Sequence, residues 1–278
     1  RLTPLRRQNI FRMVWRELYP VGIHYLIGQI LGSAVLFWLM GRSGNVKDSY
    51  YSYTLVITGL TGVLVMFPAV YFYRKDRVGR LIGGLTSIEE QKLTIPEILL
   101  LLAAGAGFAQ YANVLVAILQ NWIQSTTYGE TMSKITSGKS LFMMIFWMGI
   151  IAPIAEEMIF RWLVYLRLRD HFSVLVSAVI SAAFFGIYHG NIPQAVYAFI
   201  LGTLFAWFLE MGGNKWVSVF LHIGANTWIL IFGEYAEMLV KKFGAGMLLM
   251  SYGILAVAMI GAYQCFARKG EKRGYRAV

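Results

Sequence analysis

The sequence predicts an all-α polytopic membrane protein, in which about eight transmembrane helices enclose a polar cavity within the membrane. Apolar residues make up 58% of the 278 positions and charged residues only 14%, whereas soluble domains carry about 25% charged residues. The mean hydropathy is +0.58, and several apolar runs reach the roughly 20 residues that a helix needs to cross the hydrocarbon. Polar side chains inside the later runs predict the cavity.

Eight apolar runs define the predicted spans in chain order. They cover approximately residues 18–40, 53–73, 97–120, 141–166, 173–189, 192–211, 215–233 and 246–267. No connecting segment is long enough to hold a soluble domain, so residues 18–267 are predicted to form a single transmembrane domain. Cys265 is the only cysteine, which excludes an internal disulfide.

The two chain ends are predicted to lie outside the hydrocarbon. Residues 1–17 mix Arg with apolar side chains such as Phe11 and Trp15, which is typical of an amphipathic helix at the membrane interface. Residues 268–278 form a basic tail. With the eight spans, 19 of the 25 Lys and Arg residues fall on the side of the N-terminus, and the positive-inside rule then places both termini in the cytoplasm.

The net charge of +11 therefore reports membrane topology and contact with anionic headgroups rather than a nucleic-acid partner. The six Lys and Arg residues on the other side are Arg42, Lys47, Lys134, Lys139, Lys241 and Lys242.

Charge is least expected in the fourth span, yet Glu156, Glu157 and Arg161 lie there after the uncharged run 141–155. An ionised side chain at membrane depth costs several kcal/mol unless it is paired or hydrated, so such residues are functional candidates. Glu157 and Arg161 are four residues apart and share one helix face. Glu156 points about 100° away and has no partner on its own helix.

Two later spans carry polar residues at a similar spacing. His189 follows Phe185 by four residues, and Asn226 follows His222 by four. A free carboxylate, two imidazoles and a carboxamide supply what activation of water and stabilisation of an oxyanion require. Nearby small residues let helices approach closely: Gly186, Gly224 and Ala225.

Structural roles stay open for these residues, because a membrane histidine can simply join two helices and a Glu–Arg pair can be a clamp. Polar residues in the first three spans are interpreted as interhelical hydrogen-bonding groups: His24, Gln29, Gln110 and Asn113.

Three motifs in order, Glu156-Glu157-xxx-Arg161, Phe185-xxx-His189 and His222-xxx-Asn226, resemble those of the CPBP family. That family comprises the type II CAAX prenyl endopeptidases and the bacteriocin-processing or immunity (Abi) membrane proteins. The resemblance covers approximately residues 141–233. Trp162 is a departure, since many members have Gly after the Arg.

The resemblance implies a role for each motif position. Glu156 would be the catalytic base that acts on water with His189, and His222 with Asn226 would form the oxyanion hole. Glu157, Arg161 and Phe185 would have supporting roles. No resident metal is expected, because the chain has no HExxH pair and no thiolate cluster. Two His and one Glu are nevertheless a legitimate catalytic zinc set, so zinc stays open.

The leading hypothesis is an intramembrane endopeptidase that acts on a peptide or lipidated peptide near the surface of a prokaryotic plasma membrane. A non-proteolytic immunity or accessory protein that binds a peptide or lipid partner in the same cavity is the alternative. A proton-coupled transporter is a third possibility, although no repeat relates the two halves of the chain. The sequence does not determine the oligomeric state.

The depths of the site residues disagree in this arrangement. Glu156 and His222 lie about 10 Å from the cytoplasmic face, and His189 lies about 24 Å deep. Either the fifth span is tilted or it ends within the membrane beside a water-filled cavity, and the break at Gly190–Pro193 favours the second explanation. Water is expected to reach the site from the cytoplasmic side.

Overall fold

The computed structural model describes residues 9–42, 45–83, 91–123 and 127–274, and within these ranges every regular element is a helix. Seven of the described helices are long and apolar enough to cross a membrane; α6 has only 15 residues and α4 is short and polar. The predicted class, an all-α integral membrane protein, is confirmed. The helices are α1 Ile10–Met40, α2 Val46–Ile82, α3 Ile95–Ile123, α4 Thr127–Thr136, α5 Leu141–Arg169, α6 Val174–Tyr188, α7 Ile192–Gly212, α8 Trp216–Phe243 and α9 Gly246–Lys272.

The two predicted end segments continue the outermost helices. Asn9 caps α1 by accepting hydrogen bonds from the backbone N–H groups of Phe11 and Arg12, which starts the helix inside the predicted interfacial segment 1–17. Likewise α9 runs to Lys272, into the predicted tail 268–278. Residues 1–8 and 275–278 lie outside the described residues.

Helix α5 carries both glutamates and departs from regular α-helical geometry on either side of them. Two π-helical stretches, Ile145–Ile151 and Met158–Tyr165, flank the α-helical segment Ala152–Glu157. Short π-helical stretches occur frequently at functional sites. The first stretch is bound from α8, where Asn226 donates to the carbonyl oxygen of Met148 at 3.1 Å.

Glycines allow the helices around the site to touch through their backbones. A Cβ atom on Gly224 of α8 would overlap the carbonyl of Leu102 on α3, and one on Gly186 of α6 would lie 2.6 Å from the carbonyl oxygen of Ala195 on α7. The close approach predicted at Gly186 and Gly224 is therefore confirmed.

The helix ends form two opposite faces that differ in charge. The basic face contains the beginnings of α1, α3, α6 and α8 and the ends of α2, α5, α7 and α9. The opposite face contains the other ends and α4. Of the Lys and Arg residues that the structure describes, six lie at the opposite face and fourteen at the basic face: Arg12, Arg16, Arg74, Lys75, Arg77, Arg80, Lys92, Arg167, Arg169, Lys215, Arg268, Lys269, Lys272 and Arg273.

Ion pairs join the helices at the basic face. Arg167 of α5 contacts Asp76 of α2 at 2.6 Å, and Arg80 of α2 contacts Asp170, just after α5, at 2.9 Å. These residues therefore connect helices at the basic face.

Candidate functional site

Five of the seven predicted site residues line one cavity of about 540 Å³. The two others, Glu157 and Arg161, lie fully buried behind it. The structure thus brings together residues from α5, α6 and α8 that the sequence separates by up to 70 positions. The five lining residues are Glu156, Phe185, His189, His222 and Asn226.

The two adjacent glutamates have opposite environments. The side chain of Glu156 is 17% exposed and faces the cavity, whereas that of Glu157 is 0% exposed. Arg161 Nη1 lies 3.1 Å from Glu157 Oε1, so the predicted ion pair is present. Burial of an unpaired charge is very costly, and the pairing explains how Glu157 can be held away from water.

His222 lies between the two carboxylates. Its Nδ1 is 2.9 Å from Glu157 Oε1, and its Nε2 is 3.6 Å from Glu156 Oε2. An ionised carboxylate only accepts hydrogen bonds. Nδ1 therefore donates a hydrogen bond to Glu157, and Nε2 faces Glu156. The sequence did not predict this contact, because spacing along one helix pairs Glu157 with Arg161 alone.

His189 lies where α6 ends. Its Nδ1 is 2.8 Å from the carbonyl oxygen of Phe185; a carbonyl only accepts, so Nδ1 donates this hydrogen bond and is occupied by it. Gly190, at φ +71°, turns the chain and Asn191 caps α7. The helix therefore ends beside the cavity.

Phe185 contacts three other residues of the motifs. Its ring centre is 4.8 Å from that of His189 and 5.7 Å from that of His222. The guanidinium of Arg161 lies 4.5 Å above the same ring, where a cation is attracted to the π electrons. Gly202 leaves the room for this guanidinium, since a Cβ there would overlap it.

Asn226 keeps one donor available. Its carboxamide carries two N–H groups, and Nδ2 makes one hydrogen bond, to Met148 of α5. Because Asn226 also lines the cavity, the second N–H can serve a bound molecule.

The sequence predicted an interhelical hydrogen bond for His24 but not its partner, which is Tyr188. His24 Nδ1 hydrogen-bonds the hydroxyl of Tyr188, which joins α1 to α6, and both side chains interact electrostatically with Glu156. Tyr188 directly precedes His189, and this adjacency is the only feature of the sequence that places Tyr188 near the site.

The other polar residues of the early spans divide between roles. Gln110 hydrogen-bonds Ser251 and Trp228, as expected of an interhelical group. Asn113 lines the cavity, and Gln29 lies exposed on α1.

Within the described ranges, no group of three or more His, Cys, Asp and Glu side chains is arranged to hold a metal ion.

The cavity extends from Glu156 toward the opposite face, not toward the basic face. Met132 and Ile135 of α4 line it, as do Gln194 at the beginning of α7 and Leu230 on the far side of Asn226. The described lining therefore does not extend toward the basic face, from which water was expected to enter. Counting residues from a helix end gives a distance to a face, but it cannot tell whether neighbouring helices fill that distance.

Residues 138–228, about a third of the chain, match a protein-family model described as type II CAAX prenyl endopeptidase Rce1-like. A search of curated proteins and a search of solved structures each gave no match. The matched range contains all seven predicted site residues. The match supports the resemblance to the CPBP family over residues 138–228.

Proposed function

We propose that this protein is a glutamate-dependent intramembrane endopeptidase that hydrolyses a peptide bond within the cavity. The observation that carries the proposal is that the two adjacent carboxylates have different contacts. Glu156 reaches the cavity beside His222, while Glu157 neutralises Arg161 and orients His222. The Rce1-like match supports it, because the family is one of CAAX-type intramembrane proteases.

In the proposed reaction the Glu156 carboxylate removes a proton from a water molecule, whose oxygen attacks the carbonyl carbon of the peptide bond. His189 Nε2 accepts a hydrogen bond from the same water and fixes its orientation. The carbonyl oxygen becomes an oxyanion, which the free N–H of Asn226 and Nε2–H of protonated His222 stabilise. When the C–N bond breaks, protonated Glu156 gives its proton to the leaving amine.

The test compares purified wild-type protein with Glu156→Gln on a set of peptides with and without a prenyl group, with mass spectrometry to map the products. We expect Glu156→Gln to lower the cleavage rate by at least about 100-fold, the usual contribution of a positioned base. Glu237→Gln is the matched control, since this glutamate is exposed and pairs with Lys241 at the protein surface. Thermal unfolding in detergent verifies that both variants fold.

Cleavage by Glu156→Gln at the wild-type rate would remove the general-base role. Binding of a peptide by both proteins, without hydrolysis by either, would instead favour the immunity or accessory function. A metal-independent reaction also predicts that a strong zinc chelator leaves the wild-type rate unchanged. Loss of activity that added Zn²⁺ restores would contradict that part of the proposal.

A further inference from the structure

On the helices that line the cavity, the lining residues lie toward the opposite face. On α8 the lining residues run from His222 to Leu230, away from the basic-face end at Trp216. On α2 they lie at Thr54–Thr58, in the half of the helix that begins at the opposite face. Helix α4, at the opposite face, contributes two more. Glu156 and His222 therefore lie at the closed bottom of the cavity.

Packed side chains close the protein between the site and the basic face. Phe160, Tyr165 and Val217 are at most 1% exposed. Trp162 fills the same layer, where its indole N–H donates to the carbonyl of Lys215 at 3.1 Å and its ring packs on Trp216. The residue that departs from the family pattern thus contributes to this seal.

The charge distribution indicates how the protein lies in the membrane. Fourteen described Lys and Arg residues lie at the basic face and six at the opposite face. By the positive-inside rule, the basic face then lies in the cytoplasm. The opposite face is nearly neutral, because its six cations are accompanied by four acids: Asp48, Glu130, Glu234 and Glu237.

The chemistry of the lining restricts the substrate further. Among the described lining residues Glu156 is the only acid, and neither Lys nor Arg is present. A substrate carboxylate would therefore find no Lys or Arg there and would be repelled by Glu156, whereas an uncharged apolar segment matches the remaining surface.

Building on the proposed function, we propose that the cavity opens to the extracytoplasmic side. The substrate is then an uncharged, apolar stretch of an exported or membrane-inserted polypeptide, cut at an internal bond on that side. A polypeptide confined to the cytoplasm would be separated from Glu156 by the seal.

The single cysteine makes the direction of access measurable. In a Cys265→Ser background, one cysteine is introduced at a time: Gln194→Cys in the cavity, Glu237→Cys at the opposite face and Lys75→Cys at the basic face. Intact spheroplasts are treated with a membrane-impermeant sulfonated maleimide, and a second sample is treated after detergent solubilisation. Thr58→Cys serves as a second cavity reporter if Gln194→Cys is not produced in folded form.

We expect the reagent to label Gln194→Cys and Glu237→Cys in intact spheroplasts, and Lys75→Cys only after solubilisation. Labelling of Gln194→Cys only under the conditions that label Lys75→Cys would overturn the proposal. Reaction of Gln194→Cys in detergent alone, with Glu237→Cys labelled in spheroplasts, would also overturn it, because the cavity would then be closed to the outside.

A second measurement tests the substrate class separately from the proposed function. Peptide termini are mapped in membranes and medium of cells that produce wild-type protein or Glu156→Gln. Bonds cut only by wild-type protein should lie in extracytoplasmic or membrane segments, and wild-type-specific cuts confined to cytoplasmic segments would refute the substrate class. Labelling needs no catalysis, so correct labelling without any wild-type-specific cut would leave the access route standing and reject the peptidase function.

Discussion

At the scale of single residues, two identical side chains separated by one peptide bond have different environments because of what each one contacts. Glu157 lies between Arg161 and His222 with no exposure, and Glu156 faces the cavity. The helical spacing predicted this separation correctly. It could not predict the contact between Glu157 and His222, because that contact depends on how α5 packs against α8.

Replacing Glu157 by Gln should destabilise the protein, because Arg161 would be left buried without a counter-charge. Breaking a buried ion pair costs about 3–5 kcal/mol, and the midpoint of thermal unfolding in detergent should fall accordingly. The isosteric Glu156→Gln change should shift the midpoint far less, since Glu156 is partly exposed. A double variant, Glu157→Gln with Arg161→Met, should recover part of the loss. Equal midpoints for Glu156→Gln and Glu157→Gln would contradict this assignment.

Asn226 is predicted to act on the rate of the chemical step rather than on substrate binding. Asn226→Ala should lower kcat by roughly 100- to 1,000-fold, as the removal of one oxyanion donor does, with a small change in KM. Thr227→Val is a matched control, because Thr227 donates to the carbonyl of Gly149 in the same π-helical stretch but does not line the cavity. A similar fall in kcat for both variants would show that the role of Asn226 is to hold α5.

At the scale of helices, the sequence predicted which segments are helical better than where they end. The second span was expected at 53–73 and the helix is Val46–Ile82, because hydropathy marks only the apolar part of a helix that continues through polar turns. The short α6 was detectable from the Gly190–Pro193 break. The π-helical stretches of α5 were not predicted from hydropathy; the first of them accepts hydrogen bonds from α8.

Gly224 provides a test of helix packing at the site. Gly224→Ala places a methyl group against the carbonyl of Leu102, so α3 and α8 must separate, at a cost of about 1–3 kcal/mol. Gly233→Ala on the same helix meets nothing within 4 Å and should be neutral or stabilising by about 0.5–1 kcal/mol. Thermal unfolding of the two variants compares them directly; a neutral Gly224→Ala would mean that the backbone contact does not constrain α8.

At the scale of the whole molecule, composition predicted the membrane class, and the three motifs predicted which side chains share a cavity. The direction of that cavity was not predictable from residue counts. His222 is only six residues from the beginning of α8 at the basic face, yet Trp162 and its neighbours fill that short distance. The longer route, past Asn226 and Leu230, is the one that remains open.

A cavity sealed at one end also determines which solution supplies and receives the protons of the reaction. If the cavity opens outward, the water in it exchanges protons with the external medium and not with the cytoplasm. In proteoliposomes of uniform orientation, the cleavage rate should therefore follow the pH on the cavity side and stay constant when only the pH on the basic-face side is changed. A rate that followed the basic-face pH instead would contradict this. With an outward-opening cavity, the enzyme would respond to acidification of its surroundings even while the cell holds its internal pH constant.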